Sequence, residues 1–210
     1  MTTTVRLTLL AAALALVAGF LATTAPRAAA APEPEAIPRR WELRVEPGEL
    51  RCMTVTLPGQ APRAYFYFTF KATNLSGQDL YFAPSFDLAI SDGTVIRSGR
   101  DVPAEAVDAI MAYVDQPFLQ EEIKLQGQFL QGPENAKEGL VVWAAPSLKA
   151  TEATIYMAGF SGETKSIRRP DTGKSHVLRK TLMLRHEING EIDPSLNSSL
   201  TRSVQRWILR

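Results

Sequence analysis

The 210 residues carry 23 Lys and Arg against 22 Asp and Glu, a formal charge of +1, and 45% of them are apolar. So even a balance offers no basic surface for nucleic acid or anionic membrane, and the apolar content is that of a globular chain. Cys52 is the only cysteine, which excludes an intrachain disulfide and leaves a hydrophobic core as the source of stability.

The first thirty residues have the layout of a secretory signal peptide. Arg6 supplies the charged start, an apolar run extends from Leu7 to Ala22 broken only by Thr8 and Gly19, and a small-residue tract covers Ala28 to Ala31. Cleavage is expected after Ala30, because cleavage after Ala31 would set Pro32 beside the scissile bond. The run of about 16 residues is shorter than the roughly 20 that a spanning helix needs, which favours cleavage over a retained anchor. Losing residues 1–30 removes Arg6 and Arg27 and leaves 21 basic against 22 acidic residues. The expectation is an exported protein, periplasmic or extracellular, that meets the membrane only transiently through its signal.

Residues 31–40 are Pro-rich without apolar periodicity and read as a flexible or extended linker. A single domain is expected over residues 41–210. It opens with β-type runs at Trp41–Glu46, Leu50–Leu57, Tyr65–Asn74, Asp79–Ile90 and Thr94–Arg97. Turn signals separate them: Pro47-Gly48, Pro58-Gly59, Asn74 to Gly77, and Asp92-Gly93. In the second run Met53, Val55 and Leu57 form the apolar face, which turns Cys52 toward Thr54 and Thr56 as a small, partly buried thiol. An exposed Cys52 would instead allow a covalent dimer.

The run from Tyr65 is the strongest element. Phe66, Phe68, Phe70 and Ala72 point one way, and Tyr65, Tyr67, Thr69 and Lys71 the other. The phenylalanine face belongs to the core; the tyrosine face is either a ligand platform or the seat of a covering loop or helix.

Between Val102 and Val114 the period changes. Ala106, Val107, Ile110, Met111 and Val114 recur at helical spacing behind Pro103, with Asp101 as the candidate N-cap. Residues 118–129 fit a short helix or a strand-like crossing equally. Strand patterns return at Gly139–Ala144, Ala153–Phe160, Val177–Ile188 and Val204–Leu209, with a polar loop over Asn189–Thr201. About nine strands and one short helical insertion predict a mainly β fold, a two-layer antiparallel immunoglobulin-like sandwich.

Chemistry is sparse. No phosphate loop, paired-cysteine metal spacing, His-Glu-x-x-His or Gly-x-Ser-x-Gly elbow occurs, so no cofactor, metal or catalytic residue is assigned. His176 and His186 lie ten residues apart on one strand, roughly 33 Å if extended and too far to share a metal. His186 shares parity with Leu182 and Leu184 and reads as a half-buried, hydrogen-bonded histidine. Asp87, Asp92 and Asp101 lack the dense alternation of a calcium loop, and Ser91-Asp92-Gly93-Thr94 has the composition of a hairpin turn. The polar segments at 98–103 and 132–139 flank the helical insertion. If they meet at one end of the sheets they form a binding surface, with Arg100, Asp101, Glu134 and Asn135 as its candidates alongside Tyr65 and Tyr67.

Several stretches together carry a resemblance. They are Asn74–Leu88, Ser98–Pro103, Gln131–Trp143, Gly159–Thr164 and Leu178–Leu184. In this order they resemble a set of exported planctomycete-type proteins of unknown function, and the Asn74–Gly77 turn is similar to those of immunoglobulin-like envelope modules. The resemblance implies a secreted or periplasmic β-sandwich and brings no catalytic residue, cofactor or substrate. The expected function is that of a non-enzymatic binding or structural module of the envelope, with a protein or glycan as partner. The alternative is an envelope hydrolase or metal-dependent enzyme using Asp101, His176 or His186.

Overall fold

The alternation at residues 65–72 becomes the centre of a four-stranded sheet in the computed structural model, which describes residues 31–169 and 171–210. The expected signal and its cleavage site lie outside the described residues. The sheet runs in the order β1 (Arg44–Val55), β2 (Arg63–Thr73), β8 (Lys137–Ala144), β6 (Leu119–Glu121), antiparallel except for the β8–β6 pair. A second sheet runs β5 (Val95–Arg97), β4 (Ser85–Ile90), β9 (Glu152–Ala158), β11 (Ser175–Glu187), β12 (Thr201–Leu209). β10 (Thr164–Arg168) continues along the β9 edge of β11: Ala158 faces Thr181, and Thr164 faces Arg179. β3 (Leu80–Phe82) and β7 (Gly127–Phe129) form a small ribbon. Among the described residues the fold is mainly β with several antiparallel sheets and one α-helix, as expected from the turn-punctuated β runs.

One core joins the two large sheets. Phe66, Phe68 and Phe70 of β2 and Trp143 of β8 share it with Phe86 and Leu88 of β4, Ile155 and Met157 of β9, and Leu182 and Leu184 of β11. Phe160 stands at its centre, 5.2–5.8 Å from the rings of Phe70, Phe82 and Phe86 in edge-to-face packing. Burying each such side chain stabilises by about 1.5–3 kcal/mol.

The helix α1 (Ala104–Val114) forms a further layer on the outer face of the four-stranded sheet. Its Ala106, Val107 and Ile110 cover Val55, Tyr65, Tyr67, Leu140 and Val142. Both faces of β1 and β2 are therefore buried near their middles. This corrects the expected setting of Cys52: it is 1% exposed in the main core while Met53 and Val55 face the helix. Burial pushes its thiol up to about 12, which suppresses the thiolate and its reactivity.

Local corrections have local causes. Pro47-Gly48 marks a bulge within one continuous strand: Pro47 pairs with Phe70 and Leu50 with Phe68, so β1 carries one residue more than β2 there. A Cβ on Gly48 would fall onto the Thr69 side chain and carbonyl, so only glycine permits this approach. The run 79–90 breaks at Ala83-Pro84 into β3 and β4, because Pro84 has no N–H for a ladder. Asp101 does not cap the helix; Pro103 occupies the N-cap without a side-chain bond, and Asp101 adopts φ +56° two residues earlier.

The linker is tied to the domain at Glu35, whose N–H donates to Glu163 Oε1 at 2.8 Å. Gly159–Glu163 leaves the sheet between β9 and β10, and the chain at Trp41–Leu43 pairs with it: Leu43 N–H donates to Phe160 O at 2.9 Å and Gly162 N–H to Trp41 O at 2.9 Å. Lys180, 3% exposed, bridges the two segments through Glu42 at 2.8 Å and Glu163 at 2.9 Å, and lies 5.5 Å from the Trp207 ring. Burial opposes the ammonium charge, yet the two carboxylates hold Lys180 above the ordinary lysine value.

Candidate functional site

A helix of eleven residues is about 16 Å long and a strand of eleven about 36 Å. α1 therefore covers Tyr65 and Tyr67 of β2 and leaves the outward side chains of Thr69 and Lys71 open. The β1 bulge walls this open stretch on one side and the chain leaving α1 on the other. The result is a polar trough in two continuous parts. One, of about 410 Å³, is lined by Gly48, Glu49, Arg51, Thr69, Tyr113 and Gln116 with Tyr67 and Val114. The other, of about 260 Å³, shares Gly48, Thr69 and Gln116 and adds Lys71 and Glu138 with Glu46, Pro47 and Phe70. The first volume lies within the range of small-ligand clefts.

The lining is held from behind. Arg202 of β12 donates to the carbonyls of Pro47 and Gly48 and anchors the bulge. Arg51 Nη1 donates to the Asn197 carbonyl at 2.8 Å while its other nitrogens meet Glu49. Tyr67 and the Asn197 side chain hydrogen-bond at 2.8–3.0 Å in a buried setting, and burial raises the Tyr67 phenol above its ordinary value. Lys71 pairs with Glu138 at 3.0 Å across the β2–β8 register. The bulge, Arg51, Tyr67 and Lys71 are thus held by partners within the protein before any ligand arrives.

In the turn that leads from Gln116 to β6 the backbone is strained. Leu119 N–H donates to Gln116 O at 3.3 Å around Pro117 and Phe118. Phe118 takes φ +71° there, the i+2 position of a type II turn that favours glycine. For a bulky side chain this conformation costs about 1–2 kcal/mol. Burial does not offset it, since Phe118 is 84% exposed. Leu119, the next residue, pairs with Glu138 of the trough wall.

The expected binding residues are not gathered into one surface. Tyr65 is 1% exposed beneath α1 and presents no surface; Tyr67, 4% exposed, reaches the trough floor. Arg100 and Asp101 form an exposed pair at 3.8 Å. Asn135 bonds Gln131 O at 2.7 Å and lies 3.4 Å from Glu134 Oε1. The two loops are tied to different places, Gly99 to Val142 near the end of β8 and Gly132 to Asn74 before its start, so the intervening strand separates them.

The alternative enzyme residues also stay apart. Asp101 is exposed, His176 is exposed and faces Ile167 at the start of β11, and His186 is fully buried near its end. Asp87 is engaged by Arg97 at 3.4 Å and Arg210 at 2.9 Å, and Asp92 accepts the Thr94 N–H of its hairpin at 2.8 Å. Among the described residues no group of three His, Cys, Asp or Glu is placed to hold a metal, and no helix is long and apolar enough to cross a membrane.

His186 is buried more deeply than the half-buried state expected of it. It is 0% exposed, and its ring nitrogens make no hydrogen bond of ordinary geometry among the described residues, although the Ala153 and Leu184 backbones lie close enough to favour its charged form. Burial and the neighbouring Arg202 push it down to about 4. The unfolded chain binds its proton near the ordinary 6.5, so acid favours unfolding. The neutral ring costs nothing above about pH 6.5, and as pH falls toward 4 the protein should lose on the order of 2–3 kcal/mol. Urea midpoints at pH 7 and pH 4.5 test this against His186→Leu. The variant should remove most of the difference; an equal acid loss in both proteins would assign it elsewhere.

Glu122, in the short 3₁₀ turn after β6, is a second titratable group that the sequence does not mark. Burial pushes its carboxyl up to about 7, with Ser98 and Arg97 opposing, and its Oε2 has no partner among the described residues. Another concavity, about 650 Å³, lies between Pro38–Arg44 and the Asn74 turn. Exposed linker side chains form one wall, Arg39 being 82% exposed, so it lacks the anchored lining of the trough. Comparison with known proteins gives no match among family models, curated proteins or solved structures.

Proposed function

We propose that the chain is an exported, non-enzymatic binding module of the cell envelope, an immunoglobulin-like β-sandwich that takes its partner, protein or glycan, in the trough over Thr69 and Lys71. The observation that carries the reading is the anchored lining: Arg202 and Asn197 reach from the second sheet and its loop to fix the bulge, Arg51 and Tyr67. Evenly balanced charge supports a partner recognised by shape and hydrogen bonding rather than by net attraction. The separation of Asp101, His176 and His186 favours binding over hydrolysis.

Gln116 lines both parts of the trough and is exposed, so Gln116→Arg should obstruct it with little effect on folding. The immobilised protein should retain a component of a solubilised envelope fraction, and the variant should retain at least about tenfold less, equivalent to roughly 1.4 kcal/mol. Equal retention by the two proteins, at equal thermal midpoints, would sink the reading.

A further inference from the structure

We propose that the trough receives an uncharged oligosaccharide chain, with Phe118 and Tyr113 as ring platforms for the apolar faces of its sugars; this rests on the binding-module reading. Two independent features lead to it. The first is charge. Glu49 already pairs with Arg51, and Glu138 with Lys71. Among the described residues that line the trough, neither cation is therefore left unpaired for a phosphate or carboxylate.

The helix adds to this. α1 ends toward the trough at Tyr113 and Val114 with no basic residue in its last turn, and Asp115 follows. Its carbonyl end is the negative pole of the helix and disfavours an anionic ligand. A cationic ligand would in turn meet Arg51 and Lys71. What remains are paired charges with spare lone pairs and N–H groups, the Thr69 hydroxyl and the Gln116 amide, a set suited to vicinal hydroxyls.

The second feature is the pair of aromatic rings. Tyr113 is 59% exposed on the trough wall, and Phe118 is 84% exposed two residues beyond Gln116. Phe118 gains nothing for folding: its ring is in water and its backbone occupies a glycine conformation. A strained, exposed aromatic beside an anchored polar cleft is the arrangement expected of a contact made with a ligand. The trough is also open along its length, as a linear chain requires.

The test uses the purified full chain and four linear neutral hexasaccharides, of glucose, N-acetylglucosamine, mannose and xylose, titrated by calorimetry up to about 5 mM. At least one should bind saturably. Phe118→Gly should weaken it about tenfold or more while the thermal midpoint stays level or rises, a combination that a structural role would not give. Tyr113→Ala should weaken it to a lesser degree. Saturable binding that Phe118→Gly leaves unchanged overturns the proposal, and so does failure of all four sugars. If the sugars fail while Gln116→Arg still abolishes envelope retention, the sugar assignment falls and the binding-module reading stands. If both fail, the binding-module reading falls with it.

Discussion

Phe160→Ala should lower the unfolding free energy by about 4 kcal/mol, the largest loss from any single truncation considered. The ring is 0% exposed and meets three other phenylalanine rings, two in the four- and six-stranded sheets and one in the β3–β7 ribbon. Its removal forfeits the transfer free energy of a phenyl group and leaves a cavity that three rings on separate elements cannot jointly close.

Backbone ties magnify the effect. Phe160 belongs to the Gly159–Glu163 departure, and its carbonyl accepts the Leu43 N–H. Gly159 is fixed at φ +89°, and a Cβ there would fall onto the Ala83 carbonyl, so the segment has little room to slide inward and fill the space. Urea unfolding followed by Trp fluorescence measures the loss. Amide exchange at Leu43 should accelerate together with that at Gly162. A loss below about 1.5 kcal/mol would mean that the core recloses around the site, contrary to this packing.

Lys180→Met should cost about 3 kcal/mol for a different reason. Methionine keeps the apolar stem against Trp207 but strands two carboxylates, Glu163 at 10% and Glu42 at 25% side-chain exposure. Removing one partner of a buried ionic cluster is expensive because the remaining charge stays desolvated. The triple variant Lys180→Met, Glu42→Gln, Glu163→Gln should therefore recover most of the loss.

The clamp is also acid-sensitive. Burial by itself would raise the Glu163 carboxyl, but the Glu35 N–H at 2.8 Å and Lys180 hold it below its usual value. A carboxyl lowered in the folded state contributes fully above its unfolded value near 4.5 and loses that contribution as pH falls through the folded one. Denaturation at pH 7 reads the three proteins against one another. A single variant as stable as the parent would show that Lys180 does not hold the Trp41–Leu43 segment.

Much of the fold was legible because burial leaves periodicity in the sequence. Phe66, Phe68, Phe70 and Ala72 alternate and are all buried; Ala106, Val107 and Ile110 keep helical spacing and all pack against the sheet. The Asp92-Gly93 turn joins β4 and β5 as its composition predicts. What the pattern missed are elements too short to carry a period. β6 and β7 have three residues each, and β10 pairs with β11 through mostly exposed positions. The Pro47-Gly48 signal was ambiguous for a physical reason: the same two residues that make a turn also make a bulge, and only the pairing partner decides.

The trough was only half legible. Tyr67, Thr69 and Lys71 stand on one face of an evident strand, and a three-turn helix is visibly too short to cover it. Its other wall depends on long-range geometry. Nothing local sets Arg202 against Gly48 or Asn197 against Tyr67, which are 154 and 130 residues apart in sequence. Phe118 leaves a faint trace in Pro117-Phe118, since proline at i+1 suits a type II turn, but its positive φ is a property of the folded backbone. His186 shows the complementary limit: parity placed it inward, while its complete burial depends on every element around it.

The most direct measurement is an amide hydrogen-exchange footprint of the purified protein with and without a saturating amount of solubilised envelope fraction. The trough account predicts slowed exchange confined to the bulge at 48–51, the strand positions 69–71 and the turn at 113–119, and loss of that protection in Gln116→Arg. Protection confined to the loops carrying Arg100 and Asp101 or Glu134 and Asn135, with the bulge and the Phe118 turn unchanged, would contradict it.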